Sequence, residues 1–323
     1  MNTPGLSIIM PLFNRERYIG EAIKSILSQT YQDFELIIVD DGSMDASLQL
    51  AKSFKDDRIK VITNGTNLGI VFSRNKGLKE AAGRYIAPFD SDDIAMPDKF
   101  RQQVEFLNAH PDFGMVGSWV SMIDENGRLL KKKWKLNAKP ERIPAIMLFR
   151  NYFAQPSVVI RREAIPTGGY TTGFDLGEDY RMWIDVVEKY KTYNLPEYLV
   201  RCRFHSENIM QSDAHRMRKF EYQLYQYLFD RLDIEIDDHI LSSILTIKNN
   251  EIIMQANQLN EIEKFLMLVL QQNAKLKKYD QKQLTKEVFS RWMKCCYKAR
   301  NHFWNSSKKF IISPLTISYM KSI

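Results

Sequence analysis

Over its first ninety residues the chain alternates short apolar runs with amphipathic ones. Leu6–Leu12, Phe34–Asp40, Ile59–Thr63 and Tyr85–Phe89 are nearly continuous in apolar residues, as strands buried on both faces are. Between them, Tyr18–Gln29, Asp45–Phe54 and Val71–Ala82 repeat apolar positions with a helical period. In the first of these, Ile19, Ala22, Ile23, Ile26 and Leu27 fall on one face. Strand and helix alternating at this spacing predict a parallel sheet joined by right-handed crossovers.

After Asp93 the rhythm changes. Pro97-Asp98 opens a helix reaching about His110, and Met115–Ile123 reads as a strand with Gly127 in the turn that follows. Pro140–Arg150 is helical in pattern, Ser157–Arg161 is a strand, and Gly168, Gly169 and Gly173 mark a loop. Asp179–Tyr190 predicts another helix and Leu199–Phe204 a last strand. From Met217 the pattern is helical, with no proline before Pro314. A boundary near 212 therefore separates an α/β domain, 1–212, from a helical region, 213–323.

At 323 residues, with 44% hydrophobic and 26% charged residues, the chain has the make-up of a soluble globular protein with a sizeable core. Cys202, Cys295 and Cys296 are too few and wrongly spaced for a disulfide framework or a zinc site, and favour a reducing, cytoplasmic setting. The N-terminus lacks the pattern of a signal peptide, and no apolar run approaches the 18 residues of a membrane span. The net charge of +7 is uneven: thirteen basic residues from Lys264 onward meet only Asp280 and Glu287, so that stretch carries +11 and the remainder −4. Trp292, Tyr297, Phe303, Trp304 and Phe310 are interleaved with those basic residues. The mixture suits peripheral contact with an anionic membrane surface, here the inner face, although a basic helix pair packed on the core would read the same. No nucleic-acid-binding motif accompanies it.

Ligands of open parallel sheets sit at the carboxyl ends of the strands. Three of the predicted strands end in polar or special residues: Pro11-Leu12-Phe13-Asn14, Asp40-Asp41-Gly42-Ser43 and Asp90-Ser91-Asp92-Asp93. Three carboxylates within four residues repel one another and call for a cation, for which Mg²⁺ or Mn²⁺ with phosphate oxygens is the natural partner. As a string the cluster is close to chance; its place after a buried strand gives it weight. The Asp40 segment also fits a plain turn with Ser43 capping the next helix, but that leaves the Asp40 carboxylate at the crevice unexplained. Arg74, on the helix before the fourth strand, is placed to reach a bound phosphate. No Gly-x-x-x-x-Gly-Lys-Ser/Thr or Gly-x-Gly-x-x-Gly occurs, which disfavours P-loop and dinucleotide-cofactor chemistry.

Taken in order, Pro11…Asn14…Tyr18-Ile19, Ser25…Gln29, Glu35…Asp40-Asp41-Gly42-Ser43, Asn67-Leu68-Gly69, Arg74-Asn75…Gly77, Gly83-Arg84-Tyr85-Ile86 and Phe89-Asp90-Ser91-Asp92-Asp93 closely resemble the family 2 inverting glycosyltransferases of GT-A fold. The resemblance is dense over about 5–120 and sparse to about 210. It implies a mostly parallel sheet flanked by helices, and a nucleotide pocket lined by Pro11, Asn14, Asp40, Arg74 and Asp90. It also implies a divalent metal, Mg²⁺ or Mn²⁺, held by Asp92, with Asp93 and His205 (in Arg203-Phe204-His205) as further ligands.

Gly177-Glu178-Asp179-Tyr180-Arg181-Met182-Trp183 looks like the family's Glu-Asp…Trp segment. On that likeness Asp179 is the catalytic base, Glu178 the alternative, and Trp183 shapes the acceptor pocket. Relatives often carry histidine before Pro-Ser on the acceptor side, where this chain has Gln155. The resemblance implies transfer of a hexose-type sugar from a nucleotide-diphosphate donor, UDP foremost, to a saccharide or lipid-linked saccharide, with inversion. A nucleotidyltransferase would need a Gly-rich basic N-terminal loop that is absent, and a dead binding module would have no use for these acids.

Overall fold

The computed structural model describes residues 3–174, 176–205, 214–253, 256–299, 310–311 and 313–322. These fall into two compact units, one within Met1–Ala138 and Phe153–Ser212, the other within Lys139–Tyr152 and Asp213–Ile323. Residues 139–152 thus pack with the C-terminal helices, although they lie inside the range expected for the α/β domain.

The first unit opens with β1 (Leu6–Leu12), α1 (Ile19–Leu27), β2 (Phe34–Asp40), α2 (Ser47–Ser53), β3 (Ile59–Thr63), α3 (Ile70–Glu80) and β4 (Tyr85–Pro88). β1 pairs in parallel with β2 and β4, and β2 with β3. Leu6, Ile8, Met10, Leu36 and Ile38 are fully buried, as the unbroken apolar runs require. The amphipathic stripe of α1 buries Ile19, Ala22, Ile23 and Ile26. In register, Leu12 lies opposite Asp40 and Asp40 opposite Thr63. The polar tails of the strands therefore leave the sheet at one edge.

β5 (Ile94–Ala95), α4 (Lys99–Ala109), β6 (Phe113–Ile123) and β7 (Leu129–Trp134) follow, then α5 (Ile143–Met147) of the second unit, then β8 (Val159–Arg161), α6 (Glu178–Lys189) and β9 (Lys191–Arg203). The nine strands form one sheet of order β3-β2-β1-β4-β8-β6-β9-β5, with β7 on β6. It is mixed: β8 is antiparallel to β4 and β6, and β5 antiparallel to β9, while β6 and β9 are parallel. β9 begins well before the strand expected from Leu199, because the pairing jumps from Ser118–Leu195 to Trp119–Tyr198 and loops Pro196 and Glu197 out. A proline is tolerated in such a bulge. β7 escapes the apolar pattern because it reads Leu-Leu-Lys-Lys-Lys-Trp and lies largely exposed, as a short charged edge strand does.

The second unit adds α7 (Ala214–Phe229), α8 (Asp238–Asn249), α9 (Ala256–Leu276), α10 (Gln281–Lys298) and α11 (Pro314–Ser322). Asp237 and Asp280 cap α8 and α10 by accepting from Ile240 N at 2.7 Å and Gln283 N at 2.8 Å. The core includes Tyr225, Phe229, Leu266, Leu284, Val288 and Trp292. Trp292, expected at an interfacial surface, is fully buried there. Phe303 and Trp304 lie outside the described residues. Among the described residues no helix is long and apolar enough to cross a membrane.

Candidate active site

The crevice is built first from the ends of β1 and β2. Pro11 is buried within β1, and Asn14 turns the chain with φ of +50°, a conformation asparagine tolerates. The Asn14 N–H donates to Ser43 Oγ at 3.1 Å, and its Oδ1 accepts from Met44 N at 2.9 Å. Ser43 is therefore committed to Asn14 and does not cap the next helix; α2 starts only at Ser47, whose N–H is held by Asp45 Oδ1 at 2.9 Å. Asp40 is buried and accepts from Gly42 N, Ser43 N and Thr63 Oγ1, each at 3.3 Å. Asp41, to which the sequence assigns no role, accepts from Asn64 Nδ2 at 2.8 Å and from Leu68 N and Gly69 N at 2.9 Å. One carboxylate thus holds the Asn67-Leu68-Gly69 loop in place.

At the end of β4 each acid has its own partner. Asp90 Oδ1 accepts from the Arg74 guanidinium at 2.9 Å, and the other arm of Arg74 donates to Glu178 Oε1. Both arms of this buried arginine are occupied by carboxylates, and the Tyr170 ring lies 5.5 Å from its carbon. Arg74 accordingly ties the acidic motif to the start of α6. Burial raises the Asp90 carboxyl pKa, Arg74 opposes that shift, and the charge of Asp92 adds to it.

Asp92 Oδ2 is shared by Arg15 Nε at 3.1 Å and His205 Nε2 at 3.0 Å. Burial works against ionisation of Asp92, but the hydrogen bond from His205 and the charge of Arg15 outweigh it and hold its pKa below the ordinary value. Asp93 points elsewhere: its Oδ1 accepts from the Arg203 backbone N–H at 2.8 Å. Burial, then the charges of Asp92 and Asp90, push its pKa well above the usual range. Arg203 in turn donates to Asp92 O at 2.9 Å and to Glu21 Oε2 at 2.5 Å, and lies 4.8 Å from the Tyr18 ring. Tyr18 stacks on His205 at 5.0 Å, so the pair Arg203 and Tyr18 fixes the imidazole beside Asp92. Behind the motif Lys99 is fully buried between the rings of Phe100 and Phe89, and desolvation drives its pKa far down.

α6 begins after Gly177, with Glu178 and Asp179 in its first turn, where the helix dipole favours acids. Glu178 is spent on Arg74. Asp179 is half-buried, and its Oδ1 accepts from Tyr180 N at 2.6 Å. Trp183, expected at an acceptor pocket, is fully buried. Gln155 donates to the Tyr170 hydroxyl at 2.9 Å, and burial raises that phenol to about 12. Tyr170 is pinned by a reciprocal pair of bonds to the Asn75 amide, both at 2.8 Å; a Cβ on Gly169 would lie 2.4 Å from Asn75 Oδ1. Tyr170 and Arg15 escape sequence reading because each is an ordinary residue until the fold brings Tyr170 to Asn75 and Gln155, and Arg15 to Asp92.

Among the described residues no three His, Cys, Asp or Glu side chains are arranged to hold a metal ion. Two are. Asp92 Oδ2 and His205 Nε2 lie 3.0 Å apart, a carboxylate oxygen and an imidazole nitrogen on one spot of the crevice. One carboxylate and one imidazole would suit a divalent ion that also takes oxygens of a bound diphosphate. Asp93, turned to the Arg203 backbone, braces this pair.

Residues 7–168 match the family model described as Glycosyl transferase family 2. The O-antigen biosynthesis glycosyltransferase WbnJ of Escherichia coli is 31% identical over 70% of this chain and 90% of its own length. The UDP-Glc:alpha-D-GlcNAc-diphosphoundecaprenol beta-1,3-glucosyltransferase WfgD of Escherichia coli is 33% identical over 57% of this chain and 70% of its own. Among solved structures, S. aureus TarS 1-349 in complex with UDP-GlcNAc aligns with a TM-score of 0.60 at 19% identity, covering 98% of this chain and 91% of that one. The mannosyltransferase PcManGT from Pyrobaculum calidifontis, in complex with GDP-Man and Mn2+, gives 0.53 at 17% identity, covering 97% and 89%. These likenesses place the α/β fold among the GT-A glycosyltransferases. With the ordered motifs on one crevice and the family match across half the chain, the protein belongs to glycosyl transferase family 2.

Proposed function

We propose that the enzyme transfers a hexose from a UDP-sugar to a hydroxyl of a saccharide or lipid-linked saccharide, with inversion, in the synthesis of a cell-surface polysaccharide or glycan. The observation that carries this reading is the bridge through Arg74, which sets Asp90 of the acidic motif against Glu178, the neighbour of Asp179. A donor-binding end and a candidate base then share one crevice. The names of WfgD and TarS support UDP as the nucleotide, and that of WfgD supports a diphospholipid-linked acceptor. We place the reaction in the cytoplasm, consistent with three free cysteines.

In this mechanism Pro11, Asn14 and Asp40 receive the nucleoside at the ends of β1 and β2. Asp92 and His205 would hold Mg²⁺ or Mn²⁺, whose chemistry is to offset the negative charge that grows on the departing diphosphate. Asp90 orients the donor and is itself held by Arg74. Asp179 takes the proton from the acceptor hydroxyl as that oxygen attacks the anomeric carbon from the face opposite the leaving group. A single displacement of this kind inverts the anomeric centre. Glu178, neutralised by Arg74, is the weaker candidate for the base.

Purified protein offered UDP-glucose, UDP-GlcNAc and GDP-mannose with Mn²⁺ tests the reading, by release of the nucleoside diphosphate and by transfer to an acceptor. Asp179→Asn is expected to lower transfer by about 10²-fold or more while donor binding holds. Asp92→Ala should weaken donor binding as well. Full transfer by Asp179→Asn overturns the base assignment, and nucleotide-sugar turnover indifferent to chelator overturns the metal assignment.

A further inference from the structure

The second unit carries the chain's excess of positive charge and sets part of it beside exposed apolar side chains. On α10, Lys282, Lys286, Met293, Lys294 and Tyr297 are spaced by four, seven, one and three residues, which places them along one face. The opposite face buries Leu284, Val288, Trp292 and Cys295. Met293 is 46% and Tyr297 67% exposed, while Lys282 and Lys294 are exposed and Lys286 half-buried.

A second feature lies alongside. Glu287 is one carboxylate among four cations: it accepts from Arg142 at 2.8 Å and from Arg291 at 2.7 Å, with Arg150 and Lys294 also close enough to act electrostatically. Arg142 Nε is buried without a hydrogen-bond partner. Burial, then Arg291, Arg150 and Arg142, push the Lys294 pKa down. Such an excess of like charge is costly until an anion or solvent offsets it.

Lysines by themselves would suit any polyanion. The interleaved Met293 and Tyr297 narrow the choice, since a phosphate backbone gains nothing from an exposed thioether. A bilayer takes both kinds of group at once: apolar tips settle below the headgroups while lysine stems snorkel up to the phosphates. We propose that this face of α10, with Arg142 at its edge, docks on an anionic lipid bilayer.

Co-sedimentation of the full chain with vesicles of phosphatidylcholine alone, and of phosphatidylcholine mixed with phosphatidylglycerol, is the test. Binding is expected only to the mixed vesicles and should fall as salt rises. Lys286→Glu with Lys294→Glu should lower vesicle affinity on the order of tenfold or more. Met293→Ser with Tyr297→Ser should lower it even at low salt. Circular dichroism and thermal melts check that both variants stay folded, which their surface positions favour. No binding to the mixed vesicles at low salt, or equal binding by wild type and both variants, overturns the proposal. A wild-type dimer in light scattering that both variants dissolve, without vesicle binding, assigns the face to a second copy and overturns it too.

Discussion

Replacing Arg74 with alanine strands two carboxylates at once. The arginine side chain is 5% exposed, Glu178 11% and Asp90 31%. Removing one member of a buried ion pair costs about 3–5 kcal/mol, because the partner keeps its desolvation penalty and loses its compensation. Solvent at the part-exposed Asp90 recovers some of this, which points to the lower end, about 3 kcal/mol. For a unit of this size each kcal/mol moves the melting temperature by roughly 2–4 °C, so Arg74→Ala should melt about 6–12 °C below wild type. Adding Glu178→Gln removes the more buried of the stranded charges and should restore a good part of the loss. Arg74→Lys should fall between, since an ammonium cannot fork to two carboxylates. Differential scanning calorimetry of the four proteins is the assay. Melting of Arg74→Ala within about 2 °C of wild type, or a further drop on adding Glu178→Gln, would refute the clamp.

Two further outcomes test the surrounding frame. Gly42 has φ of +76°, and a Cβ there would lie 2.7 Å from the Thr66 carbonyl carbon; Gly42→Ala should cost about 1–3 kcal/mol in urea unfolding, and an unchanged midpoint would contradict the close approach. Asp56 receives two arms of Arg58 at 2.9 and 2.7 Å, and those bonds bring its pKa to about 2. Its folded pKa lies below the unfolded value of about 3.9, so its stabilisation is complete above pH 4 or so and is lost as pH falls through about 2. Asp56→Asn should cost about 1 kcal/mol at neutral pH, allowing for the exposure of both side chains, and the deficit should shrink between pH 4 and 2. A deficit that stays constant with pH would show that the carboxylate is not the source.

Much of the candidate site is legible in the sequence because it is written in short strings at strand ends. Pro11, Asn14, Asp40 and the Asp90–Asp93 cluster all lie where an apolar run stops, and a parallel sheet brings such stops to one edge. Asp41 shows the limit. It stands in the same motif as Asp40, yet its work is to hold residues 68 and 69 through bonds that no local pattern reveals. Asp93 shows another: one residue from Asp92, it faces the Arg203 backbone, because successive residues of a turn point in different directions.

By itself the sequence determined the strands β1 to β4, the helices between them and the acids at their ends. Those features depend on periodicity and on local turn chemistry, which neighbouring residues settle. Only the tertiary structure decided the partners: Arg74 with both Asp90 and Glu178, Arg15 and His205 with Asp92, and Gln155 with Tyr170. It also moved residues 139–152 into the helical unit and buried Trp292. Such pairings join residues up to 113 positions apart, and an arginine or histidine gains a role only once folding removes water and leaves a carboxylate as its remaining partner.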